Sequence, residues 1–172
     1  MELLIPGLML VALMIYVSTK IKKNAALAYE RETVETPEFS IIKPEGFICP
    51  VDHGEELLFA AYSKEYGRDH ADGFRQVSTE VRMFTDADFD EVRERVKVDS
   101  VRIISENIGI LNGGKSCVIE AERVEDGITL ETFYKIIVSE GKVYQLTVAV
   151  LPEYKVDYAG KVEELLSSFT LK

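Results

Sequence analysis

From Leu3 to Val17 the chain reads LLIPGLMLVALMIYV, fifteen residues without a charge, and the pattern then changes for good. At ~1.5 Å per residue this run makes roughly 23 Å of helix, short of the ~30 Å hydrocarbon core of a bilayer. Ser18, Thr19 and Ile21 extend it, and the stems of Lys20, Lys22 and Lys23 reach the headgroups. Pro6 falls in the first turns, where a missing backbone donor costs little, and Tyr16 stands where an interfacial aromatic would. The pattern predicts a membrane anchor over residues 1–23. Helical periodicity continues through Asn24 to Arg31, and the β-branched, Pro-containing run Thr33 to Pro37 ends it. Residues 24–37 therefore read as a juxtamembrane helix and linker, ahead of a soluble domain at 38–172.

Beyond Glu38 the hydrophobic period shortens to that of strands. Phe39–Lys43 is short and apolar and stops at Pro44-Glu45-Gly46, and Glu55–Lys64 reads as a buried strand. In Phe74–Phe84, Val77, Thr79, Val81 and Met83 alternate with Ser78, Glu80 and Arg82. Thr85 then reads as a helix N-cap, with Asp86, Asp88 and Asp90 near the positive helix end. Phe89, Val92 and Val96 give that helix one apolar stripe. Four strands follow at about 101–111, 116–124, 128–139 and 142–151. They are joined by Asn112-Gly113-Gly114, Glu125-Asp126-Gly127 and Glu140-Gly141, turn chemistry of antiparallel hairpins. After Pro152 a last helix runs to about Ser168, with Val156, Val162, Leu165 and Leu166 expected inside, and Phe169–Leu171 ends extended. Helices segregated from an antiparallel sheet make the class α+β.

Charge sharpens the boundary. Residues 1–23 carry a net +2, so the body behind them carries −12 of the chain's −10. An acidic body does not bind nucleic acid through phosphates, which need clustered Lys and Arg. Two Cys and two His exclude a disulfide-dense scaffold and a multi-ligand zinc site. Lys20, Lys22 and Lys23 follow the apolar run while Glu2 precedes it, which puts the domain on the cytoplasmic side and keeps Cys49 and Cys117 reduced. A cleaved secretory signal is the rival reading, with Ala26-Leu27-Ala28 as its cleavage site, but the n-region has no Lys or Arg.

The order of these features resembles a known fold family. An early Phe39-Ser40-Ile41-Ile42-x-Pro44-x-Gly46-Phe47 entry precedes a mid-chain amphipathic helix. A meander containing Val143-Tyr144-Gln145-Leu146-Thr147 leads to a helix ending in Leu166-Ser167-Ser168-Phe169. Residues 38–172 are similar in pattern to the fold shared by the photosystem II extrinsic protein PsbP, the Ran-binding protein Mog1 and the periplasmic protein DcrB. The resemblance implies an α/β/α sandwich around a central antiparallel sheet, used for binding and assembly and usually not for catalysis. DcrB-like members are often exported, whereas the lysines here favour the cytoplasm. The matching positions are core and turn positions, so no functional residue carries over.

Several constellations invite chemistry. Gly109 to Ser116 satisfies the P-loop pattern G-x-x-x-x-G-K-[ST], yet a P-loop is followed by a helix and Cys117 to Ala121 reads as a strand. Asp86-x-Asp88-x-Asp90 opens like an EF-hand loop, but its sixth and twelfth positions are Glu91 and Lys97 instead of Gly and Glu. His53 and His70 sit in separate polar turns, and neither Cys has a neighbouring His or basic cluster. No catalytic, cofactor-binding or metal residue is nominated. The expectation is a non-enzymatic binding or accessory protein without a cofactor, held by its Leu3–Val17 helix where it meets a protein partner or an integral membrane complex. Small residues Gly7 and Ala12 let the helix approach another closely. The alternatives are an exported or membrane-tethered receptor for a small ligand or metal and, further off, a P-loop nucleotide hydrolase.

Overall fold

The computed structural model describes residues 13–20, 26–52, 54, 56–111 and 113–172, with the backbone alone of His70. Helix α1 is described over residues 13–20. Val17 and Lys20 lie on it, whereas Leu3, Lys22 and Lys23 lie outside the described residues, as do Gly7 and Ala12. Among the described residues no helix is long and apolar enough to cross a membrane.

Two antiparallel sheets organise the domain. Strands β3 (Phe47–Ile48), β4 (Leu57–Ser63), β5 (Val77–Phe84), β6 (Arg102–Leu111), β7 (Gly114–Glu125), β8 (Ile128–Ser139) and β9 (Lys142–Val150) form the larger, in the order β3-β4-β5-β9-β8-β7-β6. Strands β1 (Glu32–Glu35), β2 (Phe39–Lys43) and β10 (Thr170–Leu171) form the smaller, with β2 in the middle. Period-two alternation gives the large sheet two apolar faces, each needing cover. On one face, helix α2 (Phe89–Val98) seals Cys117, Ile119, Ala121, Tyr134 and Ile136 with Phe89, Val92 and Val96. On the other, helix α3 (Lys155–Ser168) and the small sheet cover Val77, Val81, Leu146 and Val148 with Phe39, Ile41, Tyr158, Val162, Leu165 and Phe169.

Four expectations need correction. The N-cap of α2 is Asp88, not Thr85: Asp88 Oδ1 accepts from Glu91 N at 2.9 Å while Glu91 Oε2 accepts from Asp88 N at 3.0 Å. That reciprocal box fixes the start three residues later. In α3, Val156 is 87% exposed and Tyr158 takes the inner position. A 3-10 turn at Pro152–Tyr154 delays the helix, so the stripe falls on Tyr158, Val162 and Leu165. The stretch read as linker contains β1, paired to β2 from Glu32↔Lys43 to Glu35↔Ser40. The helix expected through Arg31 ends earlier: residues 26–27 are helical and 28–29 already turn.

Residues 28–31 are clamped to the domain. The buried Lys43 Nζ donates to Ala28 O at 2.7 Å and pairs with Glu32 at 3.3 Å. Gly46 N donates to Tyr29 O at 2.7 Å, and Arg31 Nε reaches Glu164 on α3 at 2.7 Å. At the chain's other end, Phe169 meets Phe39 edge-on, centroids 5.7 Å apart, and both rings are fully buried.

Removing the Phe169 ring leaves a cavity where α3, β2 and β9 converge. Phe169→Ala should lower unfolding stability by about 3–5 kcal/mol. Urea unfolding followed by circular dichroism measures it, and a loss below about 1 kcal/mol would show that this junction is not part of the cooperative core.

Candidate binding groove

Helix α3 lies over β9 and β2 and leaves β7 and the adjoining side of β8 partly bare. In the β7–β8 register Val118 faces Lys135 and Glu120 faces Phe133. These four residues, with Lys155, Val162, Glu163 and Leu166 of α3, line a groove of about 600 Å³. Its floor is apolar, built by Val118, Phe133, Val162 and Leu166, and its charges sit at the ends. That size and lining suit a small-molecule or short-segment site.

The cations of the groove are held internally. Lys155 Nζ donates to Glu120 Oε1 at 3.1 Å and bonds Glu131 as well, bridging two carboxylates on neighbouring strands. Burial pushes the Glu131 carboxyl up. Burial opposes ionisation of Glu120 too, but its hydrogen bonds with Glu131 and Lys155 outweigh that and hold it below the ordinary range. The same two carboxylates, Glu131 foremost, raise Lys155. Lys135 forms no ion pair among the described residues. Its Nζ donates to Leu166 O at 2.6 Å and Phe169 O at 2.8 Å, and burial lowers its pKa. A cation there satisfies carbonyls left open at the C-terminus of α3. A second concavity, about 580 Å³, lies on the opposite face beyond the end of α2, where Glu80, Arg82, Asp99 and Arg123 mix both signs of charge.

The motifs singled out by sequence do not assemble into one site. Gly109 to Ser116 spans the β6–β7 hairpin, closing at Leu111↔Gly114, with Gly113 at φ +82° and Asn112 outside the described residues. A strand follows Lys115 instead of a helix, and Lys115 Nζ pairs with Asp90 at 3.2 Å, so no phosphate cradle forms. Asp88 caps α2 and Asp90 pairs with Arg93 at 2.8 Å, both consumed by the helix. His53 lies outside the described residues, and the backbone of His70 sits in a 3-10 turn at Asp69–Ala71. Among the described residues no three His, Cys, Asp or Glu side chains are grouped to hold a metal. Cys117 is buried and pushed up to about 11, chiefly by that burial, and the half-buried Cys49 is raised for the same reason. Neither is an activated nucleophile. Sequence reasoning allowed for a groove between the sheet and a helix but named none of its residues, although one signal was visible: Lys135 is a lone charge inside the apolar run Phe133-Tyr134-Lys135-Ile136-Ile137.

A seven-stranded antiparallel sheet with α2 on one face and α3 on the other is the PsbP/Mog1/DcrB-like fold, and this chain has it. Solved structures that share it include cyanobacterial PsbP (CyanoP) from Synechocystis sp. PCC 6803, at TM-score 0.56 and 12% identity over 83% of this chain and 92% of that one. PA94 of Pseudomonas aeruginosa matches at TM-score 0.55 and 10% identity, covering 83% and 98%. LpqN of Mycobacterium tuberculosis, involved in cell envelope biogenesis, matches at TM-score 0.59 and 11% identity, covering 83% and 91%. No protein-family model and no curated protein matches the chain.

The Lys155 bridge makes a pH prediction with a definite sign. Glu131 is raised on folding, so it favours the folded state below the ordinary carboxylate value of 4.5 and loses that advantage as pH rises through the folded value. Without Lys155 both carboxylates shift further up and the loss widens towards neutrality. Lys155→Met should therefore melt lower than the parent at pH 8 and by a smaller margin at pH 4.5, where Glu120 alone still pairs with Lys155, as read by calorimetry. An equal deficit at both values would mean that Lys155 acts only by packing.

Proposed function

We propose that the chain is a membrane-anchored, non-catalytic binding or accessory protein that meets a protein partner or an integral membrane complex at the membrane surface. The observation that carries this reading is the groove beside α3, whose cations are engaged by Glu120, Glu131 and the end of α3, leaving an apolar floor as the contact surface. The apolar Leu3–Val17 run supports an anchor, and Lys20, Lys22 and Lys23 support a domain on the cytoplasmic side. Tethering raises the effective concentration of the domain at its partner. Sharing a fold with cyanobacterial PsbP and with LpqN is consistent with an accessory role.

A second reading is an exported or membrane-tethered small-ligand receptor. The groove volume falls within the range of small-molecule sites, and LpqN, with the same fold, takes part in cell envelope biogenesis.

Two measurements separate these readings. Extraction of the native-level, C-terminally tagged chain in mild detergent should recover a partner in fixed ratio, and recovery of the bare chain alone would count against the accessory role. Protease added outside sealed, right-side-out vesicles should leave the tag intact until detergent is added. Digestion without lysis would place the domain outside and favour the receptor.

A further inference from the structure

Strand β6 ends the large sheet, so one of its edges carries unpaired backbone N–H and C=O groups. Proteins protect such edges with bulges, charges or covering elements. The first half of β6 is protected, since the register against β7 shifts between Ile103 and Ser105. The second half is not. Glu106, its one acidic residue, is turned to α2 and neutralised by Arg93 at 2.7 Å and Lys97 at 3.0 Å. From Asn107 to Leu111 there is no charge at all, and Ile108 and Ile110 are 59% and 81% exposed. No described residue covers this edge.

Gly109, at the centre of that stretch, has no internal reason to be glycine. Its φ lies outside the left-handed region, and a Cβ placed there would meet only Ser116 Oγ at 3.6 Å, an ordinary contact. A glycine inside a strand weakens it and is often found where another backbone approaches closely.

We propose that two copies of this chain pair antiparallel through β6, on a two-fold axis perpendicular to the sheet at Gly109. This joins two seven-stranded sheets edge to edge. The segment is complementary to itself in that register. Gly109 faces Gly109 of the second copy, where antiparallel backbones come closest. Ile108 faces Ile110 of the second copy and Ile110 faces Ile108, on the α2 side, so both exposed side chains gain an apolar cross-strand neighbour. Asn107 faces Leu111, and no charge opposes a like charge. The pairing is isologous and closed, so it stops at a dimer. It involves fewer residues than the roughly 20–30 a side of a standard interface, which makes the dimer concentration-dependent. The proposal does not rest on the membrane anchor or on the groove.

Cysteine crosslinking of the full-length chain in mild detergent tests both the pairing and its register. Facing Cα atoms of an antiparallel pair lie within disulfide reach. Gly109→Cys, whose Cβ fits without a clash, should give a disulfide dimer under mild oxidation in at least several-fold higher yield than Val156→Cys, an exposed position on α3. Mixed Ile108→Cys and Ile110→Cys chains should crosslink to each other more than either does to itself, and adding Ile110→Lys to Gly109→Cys should abolish its excess. The unmodified chain is the blank, its Cys117 being buried. Circular dichroism of each variant confirms that it is folded. A Gly109→Cys yield no higher than that of Val156→Cys, equal yields for matched and mismatched cysteines, or capture in native membranes of only a different protein would each overturn the proposal.

Discussion

The packing of Phe169 against Phe39 is the contact on which the α3 side of the molecule depends. Phe39 begins β2 and Phe169 ends α3, so one edge-on ring pair joins the first strand of the core to the last helix, 130 residues later. The small sheet forms around that junction: β10 follows Phe169 directly and pairs with β2 through Thr170↔Ser40 and Leu171↔Phe39. Contacts this distant in sequence repay their loop-closure cost only when large apolar surfaces are buried together. Two fully buried phenylalanines, with Ile41 and Leu165 beside them, supply that surface.

Lys135 works on the same junction by other means. Its strand neighbours Phe133, Tyr134, Ile136 and Ile137 are apolar, yet its ammonium crosses to the end of α3 and binds two carbonyls there. Since α3 runs directly into the extended Phe169, its final carbonyls have no further turn to accept from. The lysine takes that role, and its alkyl stem stays beside the apolar wall of the groove. One residue therefore ends a helix and shapes a binding surface.

Much of the architecture was legible because strand and helix periods are local. Phe39–Lys43 and Ile128–Ser139 have the bounds read from sequence, and the buried stripe of α2 is the one its spacing indicated. The misreadings share a cause. Whether Thr85 or Asp88 caps α2, and whether Val156 or Tyr158 faces inward, depends on a shift of a few residues set by turns that either phase would permit. Strand β1 was hidden because Glu32 to Glu35 has only one mainly apolar residue and becomes a strand through its pairing with β2. The lining of the groove was invisible for a different reason: Glu120, Phe133 and Lys155 lie on three elements, and nothing local shows that they meet.

The clamp around Ala28 and Tyr29 turns a question of sequence into one of reach. Lys43, Gly46 and Glu164 grip the chain from Ala28 onward, and only five residue steps separate Lys23 from Ala28. Fully extended, five residue steps span at most about 18 Å. If the apolar run before Lys23 anchors the chain, a domain on so short a leash cannot sample the space above a bilayer. For an anchored chain it rides on the headgroups, with the clamped corner nearest the lipid and its net negative body pressed towards a surface that repels it. An anchored chain of this kind would be an outrigger more than a float: it would swivel about its attachment, and only surfaces that rise close beside its own helix would come within its grasp.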